Sequence, residues 1–471
     1  SNGRKLLSHV SIFSGQFHPF IFVLTVILSS LAQDCPHNAP IKQIIIHGNK
    51  VTKTEFIKVF FAIDTGMAYD SVMLARGEKA LESTNLFTKV DVFSICRSGG
   101  KVVYIMITEK PYLLPGLSGE LYSRKYGKDE TWWRLKGGIE HINFRGRMEI
   151  FKTTFSIWDW KAVELSWQKP LTPSPYYLGV GSNLDLYPDE ASNIRHTAIS
   201  GKAIFGRTVS NNSKTYLSLI PFFKREISTH SITPNLSEPI TETVIDTLRA
   251  KELFAATSWL SDFRNNRFDP SKGLLFFSDL RTNHIYSGSF KPFFQFSSDI
   301  RFHHPGIFPY NKVVYRLATI LRDTDGGSIH RIQLGGEGSV RGYPRQSIGN
   351  RFIANNSIIF STEYRFPIFE FPAMKVPVLS NYSSFFSSVR YRIDGALIFD
   401  YGRVTKSIDE ILSINGKHIE SGTAIGFGLR LMIPTFERSI CADFVFGDNP
   451  YTEALDFRFP GAPHLYLDLY F

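Results

Sequence analysis

No stretch of this 471-residue chain supplies the roughly 18 to 20 consecutive apolar residues that a helical membrane span requires, which argues against a helical membrane protein. Cysteine is scarce as well. Cys35, Cys96 and Cys441 are too few and too scattered to frame a disulfide scaffold or a zinc site. The sequence also lacks G-x-S-x-G, H-E-x-x-H, a Walker loop and a dinucleotide fingerprint. Gly116-Leu117-Ser118-Gly119 falls one residue short of a nucleophile elbow and reads as a turn. With no nucleophile and base at a readable spacing, the expectation is a protein that is not an enzyme and carries no metal and no cofactor. Lys and Arg do not interleave with aromatics in clusters, so nucleic acid is not an expected partner. A net charge of +10 is compatible with anionic lipid headgroups or phosphate-rich glycolipid, although wet loops rich in Lys and Arg are its more ordinary source.

What the chain has in quantity is aromatic residues, 14% of the total with 41 Phe and 20 Tyr. Its mean hydropathy is nevertheless slightly polar, at −0.09, because apolar and polar residues alternate along most of it. Alternation with period two suits strands with one wet and one greasy face. The best apolar run, Phe20 to Leu28, follows Arg4 and Lys5 and precedes Ser30-Leu31-Ala32. That is a signal-peptide pattern over residues 1–32, with an N-terminal anchor helix as the alternative.

Residues 40–110 read as a small mixed unit. Residues 41–46 form a strand ending at Gly48-Asn49, and Thr52 or Thr54 is placed to cap a helix through Phe56, Ile57, Phe60 and Phe61. Asp70 or Ser71 is placed to cap a second helix containing Val72, Leu74 and Leu81. Strands over 87–95 and 102–107 follow, around a Ser98-Gly99-Gly100 turn. This order, β-α-α-β-β, with Gly48-Asn49, Gly66, Tyr69-Asp70, Leu86-Phe87, Val90 and Glu109 at their positions, resembles a polypeptide-transport-associated (POTRA) domain. Only one such unit fits.

From about residue 120 to 471 the chain turns into short alternating segments separated by Gly, Pro, Asn, Asp and Ser. Between 423 and 433, Thr423, Ile425, Phe427, Leu429, Leu431 and Ile433 share one face, and Arg430 and Met432 lie on the other. Near the end, Leu465, Leu467, Leu469 and Phe471 oppose Tyr466, Asp468 and Tyr470. A tilted strand crosses a bilayer in about 9 to 11 residues, and closure of an antiparallel barrel satisfies every backbone group in lipid. The expected fold is therefore an all-β transmembrane antiparallel barrel preceded by one α/β domain. A soluble β-sandwich or lipocalin-like barrel would alternate too, but it rarely runs so long.

The sharpest motif is Leu334-Gly335-Gly336-Glu337-Gly338-Ser339-Val340-Arg341-Gly342-Tyr343, which resembles the long-loop signature of the outer-membrane assembly and translocation superfamily (BamA/TamA-like, bacterial surface antigen family). Glycines let such a loop fold back, and a guanidinium can hold it by bidentate charge-assisted bonds. Alternation over 357–366 turns Glu363 and Arg365 to the face opposite Ile358, Phe360 and Tyr364, and the same parity turns Arg392, Asp394 and Asp400 inward. Carboxylates facing lipid would be costly. "EYRFP" at 363–367 and "FDYG" at 399–402 resemble strands of that family, and by the resemblance Arg341 pairs with Glu363, Asp400 or both, docking Val340, Arg341, Gly342 and Tyr343 in the lumen. The segments 143–146, 165–170 and 261–273 also resemble the family in its order.

What the resemblance implies is a protein of the bacterial outer membrane, its POTRA domain in the periplasm, with a barrel of about sixteen strands. It would insert unfolded outer-membrane protein clients in contact with outer-membrane lipids, with accessory periplasmic or lipoprotein subunits as further partners. A lateral seam is expected between a first strand near 132–140, thinned by Gly137 and Gly138, and a last strand near 465–471 ending in Phe471. The alternative is a polypeptide secretion pore of the two-partner kind, or a passive channel. Relatives of the insertase kind usually carry several POTRA domains and secretion pores two, so a single copy leaves the choice open.

Overall fold

In a computed structural model of the chain, the described residues are 36, 38–84, 86–97, 99–126, 128–158, 161–172, 174–189, 194–210, 212–232, 242–266, 268–288, 291–324, 330, 332–335, 338–343, 353–375, 377, 380, 388–413, 419–433, 438–447 and 463–468. The signal segment 1–32, Cys35 and Phe471 lie outside them. The chain divides into two compact units, Ser1–Lys110 and Pro111–Phe471.

In the first unit, β1 (Ile41–His47) runs parallel to β3 (Gly100–Glu109), and β2 (Phe87–Arg97) runs antiparallel to it, giving the sheet order β1-β3-β2. The helices α1 (Thr54–Phe61) and α2 (Ser71–Ser83) lie between β1 and β2 in sequence. Alternation in β3 buries Val103 and Ile105 completely, and the helical spacing brings Phe56, Ile57 and Phe61 to the buried side of α1. Asp70 caps α2, its Oδ1 accepting from the Val72 N–H at 2.9 Å. The expected threonine cap of α1 is not formed. Lys53 holds that position without a side-chain bond, because the turn ahead of it is bound from across the sheet. There the Glu109 carboxylate accepts from the backbone N–H groups of Lys50, Val51 and Thr52, the last at 2.7 Å. Burial pushes the Glu109 carboxyl up, but the bonds from Thr52, Val51 and Lys50 outweigh it and hold the group below its ordinary value. Cys96 is disulfide-bonded.

The second unit is dominated by one antiparallel sheet. Eleven of its strands are β4 (Leu113–Tyr126), β5 (Lys128–Phe144), β6 (Glu149–Trp158), β7 (Lys161–Pro170), β8 (Tyr176–Asp189), β9 (Ile194–Ser210), β10 (Ser213–Ile232), β11 (Glu242–Asp262), β12 (Gly273–Ser287), β13 (Phe294–Pro305) and β14 (Lys312–Arg322). After the two-residue strands β15 (Ile332–Gln333) and β16 (Ile353–Ala354) it continues with β17 (Asn356–Met374), β18 (Val389–Thr405), β19 (Ile419–Ile433) and β20 (Arg438–Gly447). These fifteen long strands follow one another as a meander, with β14 pairing directly with β17. The short β21 (Pro463–Asp468) pairs with β20 and, at three register positions, with β4. Among the described residues no helix is long and apolar enough to cross a membrane.

The first strand of this sheet is β4, not the segment 132–140. Pro115, Gly116 and Gly119 read as a turn in the sequence, but in an end strand a proline need not donate and glycines are tolerated. Gly137 and Gly138 consequently sit in the second strand, opposite Leu117 and Gly116 on one side and Phe155 and Thr154 on the other. They are not seam residues. A Cβ at Gly137 would lie 2.5 Å from the Phe155 ring, so that glycine makes room for an aromatic neighbour.

Alternation sorts the two faces of the sheet. Leu397, Phe399, Phe427 and Leu429 are exposed, while Asp394, Asp400 and Arg430, of the opposite parity, are buried. The buried side holds a second, apolar cluster made by Ile332, Leu334, Val340 and Tyr343 from the segment after β14, packed on Ile359, Ala396, Ile398, Val404, Ala424 and Val445.

Candidate functional site

The segment between β14 and β17 folds onto the buried face of β17–β20. Gly342 sits at φ +87°, where side chains are strained, and a Cβ there would come within 3.0 Å of the Gly447 nitrogen. The segment fits because the sheet is hollowed beneath it. A Cβ at Gly402 would collide with Val340, and one at Gly447 with the Tyr343 ring at 2.7 Å. The Tyr343 hydroxyl donates to the Thr423 carbonyl at 3.0 Å.

Between these two apolar contacts lies Arg341, 2% exposed. Its Nε and Nη2 hold the two oxygens of Asp400 at 2.8 Å each, and its backbone N–H also donates to Asp400 at 3.0 Å. Its Nη1 bonds Glu363 and, at 3.1 Å, Asp443. Arg430 bonds Asp443 and approaches Glu363 at 3.4 Å, and Arg365 Nε donates to the second Glu363 oxygen at 2.8 Å. Three guanidiniums therefore face three carboxylates. Charges removed from water this completely are tolerated when each is paired with its opposite, and here three of each sign are paired.

The structure thus brings together Val340, Arg341, Gly342, Tyr343, Glu363 and Asp400, the residues singled out in the sequence. Asp443 was not singled out. Its parity with Cys441 and Val445, opposite the exposed Ile440 and Phe444, was the available signal. Two further attachments were not foreseen. Arg316, which with Arg301 holds the Asp299 carboxylate, donates from Nη1 to the Gly338 carbonyl at 2.7 Å. At the far end of the segment His330 Nε2 meets Glu252 Oε1 at 2.7 Å inside a box of Phe222, Phe254 and Phe293. Among the described residues no group of His, Cys, Asp and Glu is arranged to hold a metal ion.

A meander whose inner face carries a glycine-rich segment held by an arginine invites comparison with known families. A family model described as the Omp85 superfamily domain matches residues 143–459, which spans the segment and all its partners. The chain belongs to the Omp85 superfamily. Among solved structures, this Omp85 chain is similar to BamA from Haemophilus ducreyi lacking POTRA domains 1–3, with a TM-score of 0.58, 15% identity, 92% of this chain covered and 85% of that one. It is also similar to CdiB from Escherichia coli (TM-score 0.57, 13% identity, 92% and 76% covered) and CdiB from Acinetobacter baumannii (0.52, 15%, 92% and 74%). At such identities the likeness concerns the fold. No curated protein matches the chain.

Proposed function

We propose that this Omp85 protein is an insertase of the bacterial outer membrane that assembles unfolded β-barrel clients. Its large sheet closes into a transmembrane barrel of sixteen strands, and its first unit is a periplasmic POTRA domain. The observation that carries the reading is the imbalance at the junction of first and last strands. Of the six described residues of β21, all six pair with β20 but three with β4. A barrel parts where it holds the fewest ladder bonds. Once parted, the edges present unpaired N–H and C=O groups to lipid, and an incoming strand satisfies them while it inserts. The seam therefore lies between β4 and the last strand, with Ser118, Gly119 and Glu120 opposite Tyr466, Leu465 and His464.

The docked segment supports the same mechanism. Arg341 fastens it to β17, β18 and β20 together, so the half of the wall next to β21 stays rigid while the seam opens. In the first unit the order β1-β3-β2 leaves β2 as an edge, with its own Phe93 and Ile95 exposed, which suits capture of an extended client by strand addition. Nothing in this account requires catalytic chemistry.

The test is a cysteine pair at Ser118 and Tyr466, oxidised to lock the seam in the full protein reconstituted in liposomes. Insertion of an added unfolded barrel protein, followed by protease protection, is expected to stop in the locked form and return on reduction, relative to reduced wild type. Undiminished insertion through a locked seam would sink the insertase reading. Ion conductance without client insertion would replace it with a polypeptide secretion pore.

A further inference from the structure

The outward face of β9–β12 changes character along the strands. At the end where residue 113 begins β4, Trp259 and Arg207 both pair in register with Thr215, and the Arg207 guanidinium lies 5.7 Å from the Tyr176 ring. Going away from that end, the outward residues of β10 are Leu217, Leu219, Pro221 and Phe223, and those of β11 include Ala255 and Leu253. Then the surface becomes cationic. Arg225 and Arg249 stand directly opposite each other, and Lys251, two residues along from Arg249, is opposite Phe223. On β12, His284 and Tyr286 pack ring to ring at 4.9 Å, with Tyr286 65% exposed. Ten residues separate Trp259 from Arg249. At about 3.3 Å per residue and a tilt near 40° that is about 25 Å of height, the thickness of the apolar band of a membrane barrel. The cationic row therefore lies at the second membrane surface.

Two arginines facing each other across a strand pair repel, and among the described residues this face offers no relief. Arg225, Arg249 and Lys251 are exposed and form no ion pair among the described residues, and no described carboxylate shares the outward face of β9–β12 at this level. Opposed side chains put the two guanidiniums within reach of one tetrahedral anion, the geometry in which arginine binds phosphate oxygens two at a time. We infer that this row is a binding site for the phosphomonoester of a membrane glycolipid, its acyl chains lying along Phe223, Leu253 and Leu219 and its sugar against Tyr286. Charge selects this ligand. A phosphomonoester carries close to two negative charges and a phospholipid diester one, against three cations here. The inference uses the outer-membrane reading above only to assign the row to the leaflet that holds such glycolipids.

The experiment is native mass spectrometry of the full chain in detergent with diphosphorylated lipid A, comparing wild type with Arg225→Gln/Arg249→Gln and with Arg207→Gln at the other surface. Heat-modifiable gel mobility checks that each variant is folded. The expected result is lipid A binding that falls at least tenfold in the double variant and is unchanged in Arg207→Gln, with dephosphorylated lipid A bound weakly by all three. Equal affinity in wild type and double variant would overturn the site. Preference for phosphatidylglycerol, or displacement of lipid A by millimolar inorganic phosphate, would overturn the glycolipid assignment. Failure of client insertion by the wild type would sink the functional reading and leave the lipid result standing.

Discussion

Replacing Arg341 by alanine removes four side-chain bonds at once, but the loss is unevenly shared. Glu363 keeps Arg365 and Arg430, and Asp443 keeps Arg430. Among the described residues Asp400, fully buried, then keeps the backbone N–H of residue 341 alone. The change therefore leaves one buried carboxylate without its cation, a defect that costs about 3 to 5 kcal/mol. At about 1.4 kcal/mol per factor of ten, the population with the segment undocked rises by roughly 150- to 4000-fold. Hydrogen exchange of the amides at 338–343, measured on the full protein in detergent, reads that population directly. Asp400→Asn in the Arg341→Ala background removes the stranded charge, so the double variant is expected to exchange more slowly than Arg341→Ala alone. Client insertion is expected to fall with docking. Exchange at 338–343 within a few-fold of wild type in Arg341→Ala would refute the reasoning, since the segment would then be held by its other attachments.

Gly447→Val places side-chain atoms where the Tyr343 ring lies, at an overpacking cost of about 1 to 3 kcal/mol, and should likewise speed exchange at 338–343 without altering the gel mobility of the folded barrel. Glu109→Gln should loosen the turn at Lys50, Val51 and Thr52 by about 1 kcal/mol after allowance for solvent screening, read as faster exchange of those amides. Because the folded Glu109 titrates below the ordinary glutamate value, its contribution is complete above about pH 4.3 and disappears as the pH falls further through the folded value. Wild-type protection there should fade on acidification, and the Gln variant should lack that dependence. Cys441 is a buried thiol outside any disulfide, so a thiol reagent should not label it in the folded protein and should label it after denaturation without reductant.

The legible parts of this chain were those governed by local period. In a strand the side chains alternate strictly, so Glu363 and Arg365 could be assigned to the buried face from their spacing against Phe360 and Tyr364, and Asp394 and Asp400 from the alternation of their own strand. A helix cap at Asp70 or Ser71 was legible because capping is a local signal too, and the structure gives it to Asp70. The first strand was not, because Pro115, Gly116 and Gly119 carry turn chemistry that an end strand tolerates, and this moved the predicted seam one strand too far to Gly137 and Gly138. Asp443 sits beside Ala442 and Cys441, whose small side chains blur the contrast between faces. The Arg316 bond to Gly338 and the pair of His330 with Glu252 join residues distant in sequence, and no local pattern encodes which distant partner a buried charge will meet.

The three-position junction between β4 and β21 has a consequence for the birth of the protein itself. Its two edges come from opposite ends of the large unit, so in any new copy this is the pairing with the longest loop to close and the last to form. Until it forms, a new copy carries two bare strand edges, and on the function proposed above it is then chemically the same species as the clients of a finished copy. On that proposal an existing copy would have no means of telling its own unfinished sibling from a client, and the protein would assist its own assembly.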